Sequence, residues 1–190
     1  VFGGSKLQGI MEYFNVAGEE GFNLGNHKPN PAHRALEYKN LSLLSSLFRY
    51  RSIEKNVLCA LDFNKNITKK GKKFEEAFMS ISDDLIKGCY YHCNYIMFTM
   101  FEDKIKKVQD SKVKAALTNI ATIYALTNFL DDNWGEYIDS SQYKLIKTCL
   151  DEVLDQTRPD AIGLVDSFDF PDTVLKTTIG RYDGNIYEAL

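Results

Sequence analysis

The stretch Phe74–Lys107, FEEAFMSISDDLIKGCYYHCNYIMFTMFEDKIKK, decides the fold class. Phe74, Phe78, Ile81, Leu85, Cys89, His92, Ile96 and Thr99 follow one another in steps of three or four, which is the spacing of one face of an α-helix and not the alternation of a strand. The spacing predicts a single long helix with that stripe turned to a core. Working outward, no proline occurs between His33 and Arg158. Proline is the strongest helix terminator, and turns and edge strands recruit it, so a proline-free run of this length reads as long helices.

Three more stripes agree. Asn30-Pro31 offers a cap and a first-turn residue ahead of Leu44, Leu47, Ile53, Val57 and Leu61, with Arg49, Arg51, Glu54 and Lys55 in between. A third helix is expected from about Ser111 with Val113, Leu117, Ile120, Tyr124 and Leu130 inward, and a fourth after Ser140-Ser141 with Tyr143, Ile146, Leu150 and Leu154 inward. Strand alternation is absent. Four amphipathic helices joined by short polar connections such as QDSK and DDNWGEYIDSS predict an all-α fold, an antiparallel helical bundle.

The two ends differ from this middle. Six of the twelve glycines fall within the first 25 residues, which reads residues 1–30 as a Gly-rich linker or arm and 31–190 as the helical domain. Arg158-Pro159-Asp160 is expected to start a short helix ending near Phe168. Asp169-Phe170-Pro171-Asp172 is expected to start another that Gly180 ends, and Asp183-Gly184-Asn185 reads as a turn with a left-handed residue at Gly184 or Asn185. These short helices are expected to cap the bundle.

Composition excludes several functions. A net charge of −3 over 190 residues disfavours a nucleic-acid partner, because phosphate-backbone affinity needs clustered Lys and Arg. The run Lys65, Lys69, Lys70, Lys72, Lys73 reads as a solvated loop entering a helix rather than a phosphate-binding patch. The most apolar window, Tyr95–Phe101, falls far short of the roughly 20 residues of a membrane helix, so no membrane partner is expected. The opening VFGGSKLQGI lacks the pattern of a secretory leader, and the four cysteines are expected as free thiols.

No motif in this part of the chain names a reaction. Cys89, His92 and Cys93 stand close enough on one helix to share a metal, with Cys59 or Cys149 to complete the set, but they lie on the expected core face, and no metal is expected. Gly18, Gly21 and Gly25 follow no apolar strand and lead to no Gly-Lys-Ser/Thr, so they form no phosphate loop. There is no Gly-x-Ser-x-Gly elbow. Trp134 and the tyrosines read as core and interface anchors.

The run RPDAIGLVDSFDFPDTVLKTTIGRYDGNIYEAL, Arg158–Leu190, carries more information. It closely resembles the C-terminal domain of peroxisomal acyl-CoA oxidases, which share an Asp-Ala/Ser-Phe-Asp-Phe element followed by Gly-Arg-Tyr-Asp-Gly-Asn-Val/Ile-Tyr-Glu. GCYYHCNYIMFTMFEDKIKKVQD and VKAALTNIATIYAL look like that family's two central bundle helices, and NPAHRALEYKNLSLLSSLF looks like the helix before them. The resemblance implies a homodimeric, FAD-dependent oxidase of fatty acyl-CoA in peroxisomal β-oxidation. In such enzymes a glutamate removes the α-proton, FAD accepts the β-hydride, and O2 is reduced to hydrogen peroxide. The family's base sits in a Tyr-Glu-Gly context upstream of the matched region. Tyr187-Glu188 is followed by Ala189, so no catalytic role transfers, and the flavin and acyl-CoA are expected to be held by other domains. This part would be the structural helical domain that contributes to the dimer. The other reading is a free-standing helical interaction module without chemistry.

Independently of the family, the tail gathers Phe168, Phe170 and Tyr182 with several carboxylates around Arg181. A planar guanidinium paired with a carboxylate can hold two short segments in register, so Asp169, Arg181, Tyr182, Asp183, Gly184 and Asn185 are expected to form a structural clasp. A further helix is expected to begin at Asn185 and to run past Leu190. Ser5-Lys6-Leu7 spells a peroxisomal signal at the wrong end of the chain to be read as one.

Overall fold

A computed structural model describes residues 6–29, 32–131, 138–188 and 190. Among these the regular structure is helical: α1 (Leu41–Thr68), α2 (Phe74–Met79), α3 (Ser82–Lys107), α4 (Ser111–Asp131), α5 (Ser140–Thr157), α6 (Ala161–Asp166) and α7 (Asp172–Leu175), with short 3-10 turns between and before them. The all-α bundle expected from the periodicity is present.

The helix starts are set by side chains that satisfy the orphan N–H groups of a first turn. Asn40 Oδ1 accepts from the N–H groups of Ser42 and Leu43, so α1 begins ten residues after Asn30-Pro31, which lie outside the described residues. Asp110 Oδ1 accepts from Lys112 and Val113 at 2.9 Å each, and Asp139 Oδ1 from Ser141 and Gln142 at 2.8 Å each. In both cases an aspartate one residue ahead of the expected serine is the cap.

Contacts along α1 and α3 run in opposite senses. Ser42 faces Glu102, Asn56 faces Gly88, and Asn66 faces Ser80. α3 and α4 are antiparallel too, with Asn94 opposite Tyr124 and Lys106 opposite Lys114. The centre is aromatic: the Phe48 ring lies 5.1 Å from Phe98 and 4.8 Å from Phe129, and Leu44, Ala125, Leu126, Ile146 and Val153 close around them. Gly88 allows α3 to approach α1, since a Cβ there would stand 2.8 Å from Asn56 Oδ1.

The expected single helix over Phe74–Thr99 is broken at Ser80-Ile81 into α2 and α3. Its buried face is also displaced by about one residue: Gly88, Asn94, Phe98, Glu102 and Ile105 are buried, while Cys89 and Cys93 are exposed. Polar residues hold core positions because they are partnered. Asn94 Oδ1 accepts from the Tyr124 hydroxyl at 3.0 Å and its amide donates to Asn128 Oδ1 at 3.2 Å; Glu102 receives Lys106 Nζ at 3.0 Å.

The arm is docked. Its Phe14 is buried, and Ala32 just beyond it joins the main core. The tail behaves differently. The first of its short helices forms near where expected, whereas the second ends at Leu175, where Lys176 turns to a left-handed backbone, and not at Gly180. No described residue from Arg158 onward is buried, and instead of covering the bundle these helices stand exposed beyond α5. From Asn185 onward the described residues form turns, not the start of a helix. Trp134 lies outside the described residues.

Candidate functional site

The tail cluster is built from local bonds. Arg181 Nε donates to Asp183 Oδ1 at 3.1 Å and Nη2 to Asp183 Oδ2 at 2.6 Å, a two-pronged pairing with a carboxylate only two residues away. Asp183 Oδ1 also accepts from the Asn185 N–H at 2.9 Å, and Asn185 Nδ2 donates to Glu188 at 2.7 Å. Arg181 first, and then the Asn185 N–H, hold the Asp183 carboxyl down at about 2. Gly184 takes the left-handed backbone with φ +69°, which a residue with a Cβ rarely adopts.

The structure therefore brings Arg181, Asp183, Gly184 and Asn185 together in one turn, and Arg181 bridges no distant segments. The link between segments comes from Asp172, whose Oδ1 accepts from the Tyr182 N–H at 3.2 Å. Asp169 is not among the partners of Arg181. It adopts φ +50°, and its N–H donates to the Asp166 carbonyl at 2.9 Å. The Phe168 and Phe170 rings stack at 6.1 Å and both are exposed, while Tyr182 is 85% exposed. A chemically reactive acid–base pair is not what this turn resembles: its Asp183 carboxylate is held ionised by a guanidinium and Glu188 receives an amide.

A second polar cluster joins the arm to the bundle, and periodicity gave no signal for it because its members lie far apart in sequence. Tyr13 Oη lies 2.6 Å from Ser52 Oγ on α1 and 2.8 Å from His92 Nδ1 on α3, and the Tyr13 ring packs edge-on against Tyr95 at 4.6 Å. Burial pushes the Tyr13 hydroxyl well up and the His92 imidazole down. His92 is thus engaged by Tyr13, and the expected core placement of Cys89 and Cys93 gives way to exposed thiols. No group of three or more metal-ligating side chains converges among the described residues. Beside it Arg51 stacks 3.4 Å above the Tyr91 ring, and burial lowers its guanidinium to about 10.

One groove of about 640 Å³ lies between Phe22 and Leu24 of the arm and Leu58 and Leu61 of α1. Its lining is largely apolar, with no paired acid and base.

Comparison with known proteins supplies what these geometries do not. Residues 40–190 match the acyl-CoA oxidase family. The chain is 30% identical to peroxisomal acyl-coenzyme A oxidase 1 of Mus musculus over 98% of its own length and 28% of that protein's. It is 32% identical to the Homo sapiens enzyme of the same name over 77% of this chain and 23% of that one. Among solved structures, Arabidopsis thaliana acyl-CoA oxidase 1 superposes with a TM-score of 0.83 at 27% identity, covering 98% of this chain and 28% of that one. An acyl-CoA oxidase from tomato gives 0.80 at 27% identity, with the same coverage. The chain thus spans between 23% and 28% of the length of these relatives. With residues 40–190 matched by the family and a relative of the same fold covering 98% of it, this chain belongs to the acyl-CoA oxidase family.

Proposed function

We propose that this chain is the helical part of an FAD-dependent, peroxisomal acyl-CoA oxidase that converts fatty acyl-CoA to trans-2-enoyl-CoA while reducing O2 to hydrogen peroxide. The observation that carries this reading is the family match over residues 40–190, reinforced by a solved relative of the same fold over 98% of the chain. A structure of acyl-CoA oxidase-1 from Caenorhabditis elegans, 21% identical, is described as complexed with FAD and ATP. In such an enzyme bound FAD supplies the acceptor for the β-hydride. The described residues of this chain offer no cradle for it: Gly18 ends a 3-10 turn, Gly25 lies in another, and no strand precedes either. No step is therefore assigned to a residue of this chain.

Its own contribution is architectural. Ile86, Tyr90, Met97 and Met100 leave the outer face of α3 apolar and exposed, and Phe168, Phe170 and Tyr187 do the same for the tail. Exposed apolar surface of this extent fits contact with the catalytic part of the polypeptide and with a second subunit of a homodimer.

The test is a flavin absorbance spectrum and a peroxide-release assay on a saturated acyl-CoA. It compares this 190-residue chain with a polypeptide extended upstream through the Tyr-Glu-Gly segment and flavin domain. The short chain is expected to be helical, colourless and inactive, and the long one yellow and active. Peroxide from the short chain would remove the architectural reading. A flavin-loaded but inactive long chain would remove the oxidase assignment.

A further inference from the structure

We propose that the turn between α1 and α2 docks on an anionic lipid surface, with five lysines facing the headgroups and Phe74 and Phe78 set to enter the interface. The inference is independent of the oxidase assignment.

Lys65, Lys69, Lys70, Lys72 and Lys73 surround a tight turn in which Gly71 adopts φ +62°. The turn is held from inside. The Lys69 and Lys70 N–H groups both donate to the Lys65 carbonyl, the Lys72 N–H donates to the Asn66 carbonyl at 3.1 Å, and the buried Asn66 side chain donates to Ser80 Oγ at 3.0 Å. The ammonium groups are thus presented by a braced backbone. Among the described residues none of the five has a hydrogen-bonding or ion-pairing partner for its ammonium group, whereas Lys106, in the basic run at the other end of α3, pairs with both Glu102 and Asp103. Within Asp62–Glu76 the five lysines outnumber the carboxylates of Asp62, Glu75 and Glu76. At 100° per residue Glu76 falls on the far side of α2 from Phe74 and Phe78, and Glu75 lies at the edge of their face, on the side of Met79.

Charge alone would suit any polyanion, and the adjoining apolar side chains narrow the partner. Phe74 is 62% exposed and Phe78 43%, and they continue a row from the half-buried Phe63 with centroids 5.4 and 6.3 Å apart. Unpaired lysines beside two exposed aromatics is the composition of a surface that reads anionic headgroups and buries its apolar part at the acyl boundary. Phosphate in solution would use the lysines and leave the rings in water. No helix of the described residues is long and apolar enough to cross a membrane, so the contact is peripheral. The expectation of no membrane partner rested on the lack of a spanning segment, and a peripheral contact needs none.

The experiment is flotation of the 190-residue chain with vesicles of phosphatidylcholine alone or with about 30% phosphatidylserine, an anionic lipid that attracts basic segments. Binding is expected only to the anionic vesicles and should vanish in about 1 M salt, where the screening length is near 3 Å. Changing Lys69, Lys70, Lys72 and Lys73 together to Gln should weaken it by two orders of magnitude or more, at about fivefold per lysine. Phe74→Ser with Phe78→Ser should weaken it with the lysines intact, and Lys112→Gln with Lys114→Gln should leave it unchanged, with circular dichroism confirming the fold of each variant. Equal binding to both vesicle types, no binding to either, indifference to the lysine or phenylalanine changes, or full competition by inorganic phosphate at matched ionic strength would each overturn the proposal.

Discussion

Phe48, Phe98 and Phe129 meet at the centre of the bundle, each with about 1% of its surface exposed. Phe168 and Phe170 stack on each other in the tail with most of both rings in solvent. The two regions use the same residue type for opposite ends. In the bundle, partners come from three different helices and the apolar area is removed from water. In the tail nearly every bond reaches only two to four residues along the chain, and Asp172 to Tyr182 spans the longest gap. The bundle therefore contains the reasons for its own stability. The tail is held by bonds within itself and packs on little of this chain.

Core and tail substitutions give the widest separation. Phe48→Ala should cost about 3–5 kcal/mol, the range for truncating a buried phenylalanine. Phe170→Ala should stay within about 0.5 kcal/mol, as exposed substitutions usually do. Denaturant unfolding of the two variants checks this, and equal losses would break the comparison.

The α1–α3 seam ranks next. Gly88→Leu places atoms where Asn56 now sits, and Asn56 must then give up its 3.1 Å bond to the Gly88 carbonyl. Overpacking of this kind costs about 1–3 kcal/mol, measurable as a lower denaturation midpoint with an unchanged slope.

The arm should respond more weakly. Tyr13→Phe deletes the hydroxyl that meets Ser52 and His92 and should cost about 1 kcal/mol. Burial lowers the folded-state pKa of His92 below its unfolded value of 6.5. Its contribution is therefore fully present above 6.5 and is lost as pH falls toward the lower folded-state value. Hydrogen exchange over residues 9–18 should quicken below that point in the parent and show no such step in His92→Phe. A pH-independent arm in the parent would detach His92 from its docking.

How much of this was legible follows from which residues report periodicity. The four bundle helices were, because Leu44 and Leu47 of α1, Leu117 and Tyr124 of α4, and Ile146 and Leu150 of α5 recur at helical spacing and pack on the core. The facing of α3 was not: Asn94 and Glu102 are buried through partners on other helices, and Cys89 and Cys93 count as apolar but face solvent. Hydropathy cannot know which amide or carboxylate has found a partner. The docking of Tyr13 was hidden for the same reason, since its contacts are 39 and 79 residues away. In the tail, the turn at Gly184 was readable from Asp-Gly-Asn, whereas the partner of Arg181 was not, because several carboxylates are near in sequence and only geometry selects Asp183.

That selection gives the smallest expected effect and the sharpest test of the tail. Had Arg181 tied two segments together over a buried carboxylate, Arg181→Ala would lower the melting temperature. Its partner is exposed and lies in the same turn, so the melting temperature should not change. The local signal should change. The Asp183 carboxyl, held at about 2 by Arg181 and then by the Asn185 N–H, should titrate at a higher pH in Arg181→Ala, short of its ordinary value of 3.8 because the N–H remains. The folded-state value is the lower one, so the stability of the turn is present above 3.8 and is lost as pH falls through about 2. Carboxyl-detected NMR titration of the parent and Arg181→Ala, beside their melting curves, separates the outcomes. A shifted titration with superimposable melts supports a self-contained turn. A melt lowered by several degrees would mean that Arg181 clasps more of the molecule than Asp183, and would erase the contrast between tail and bundle.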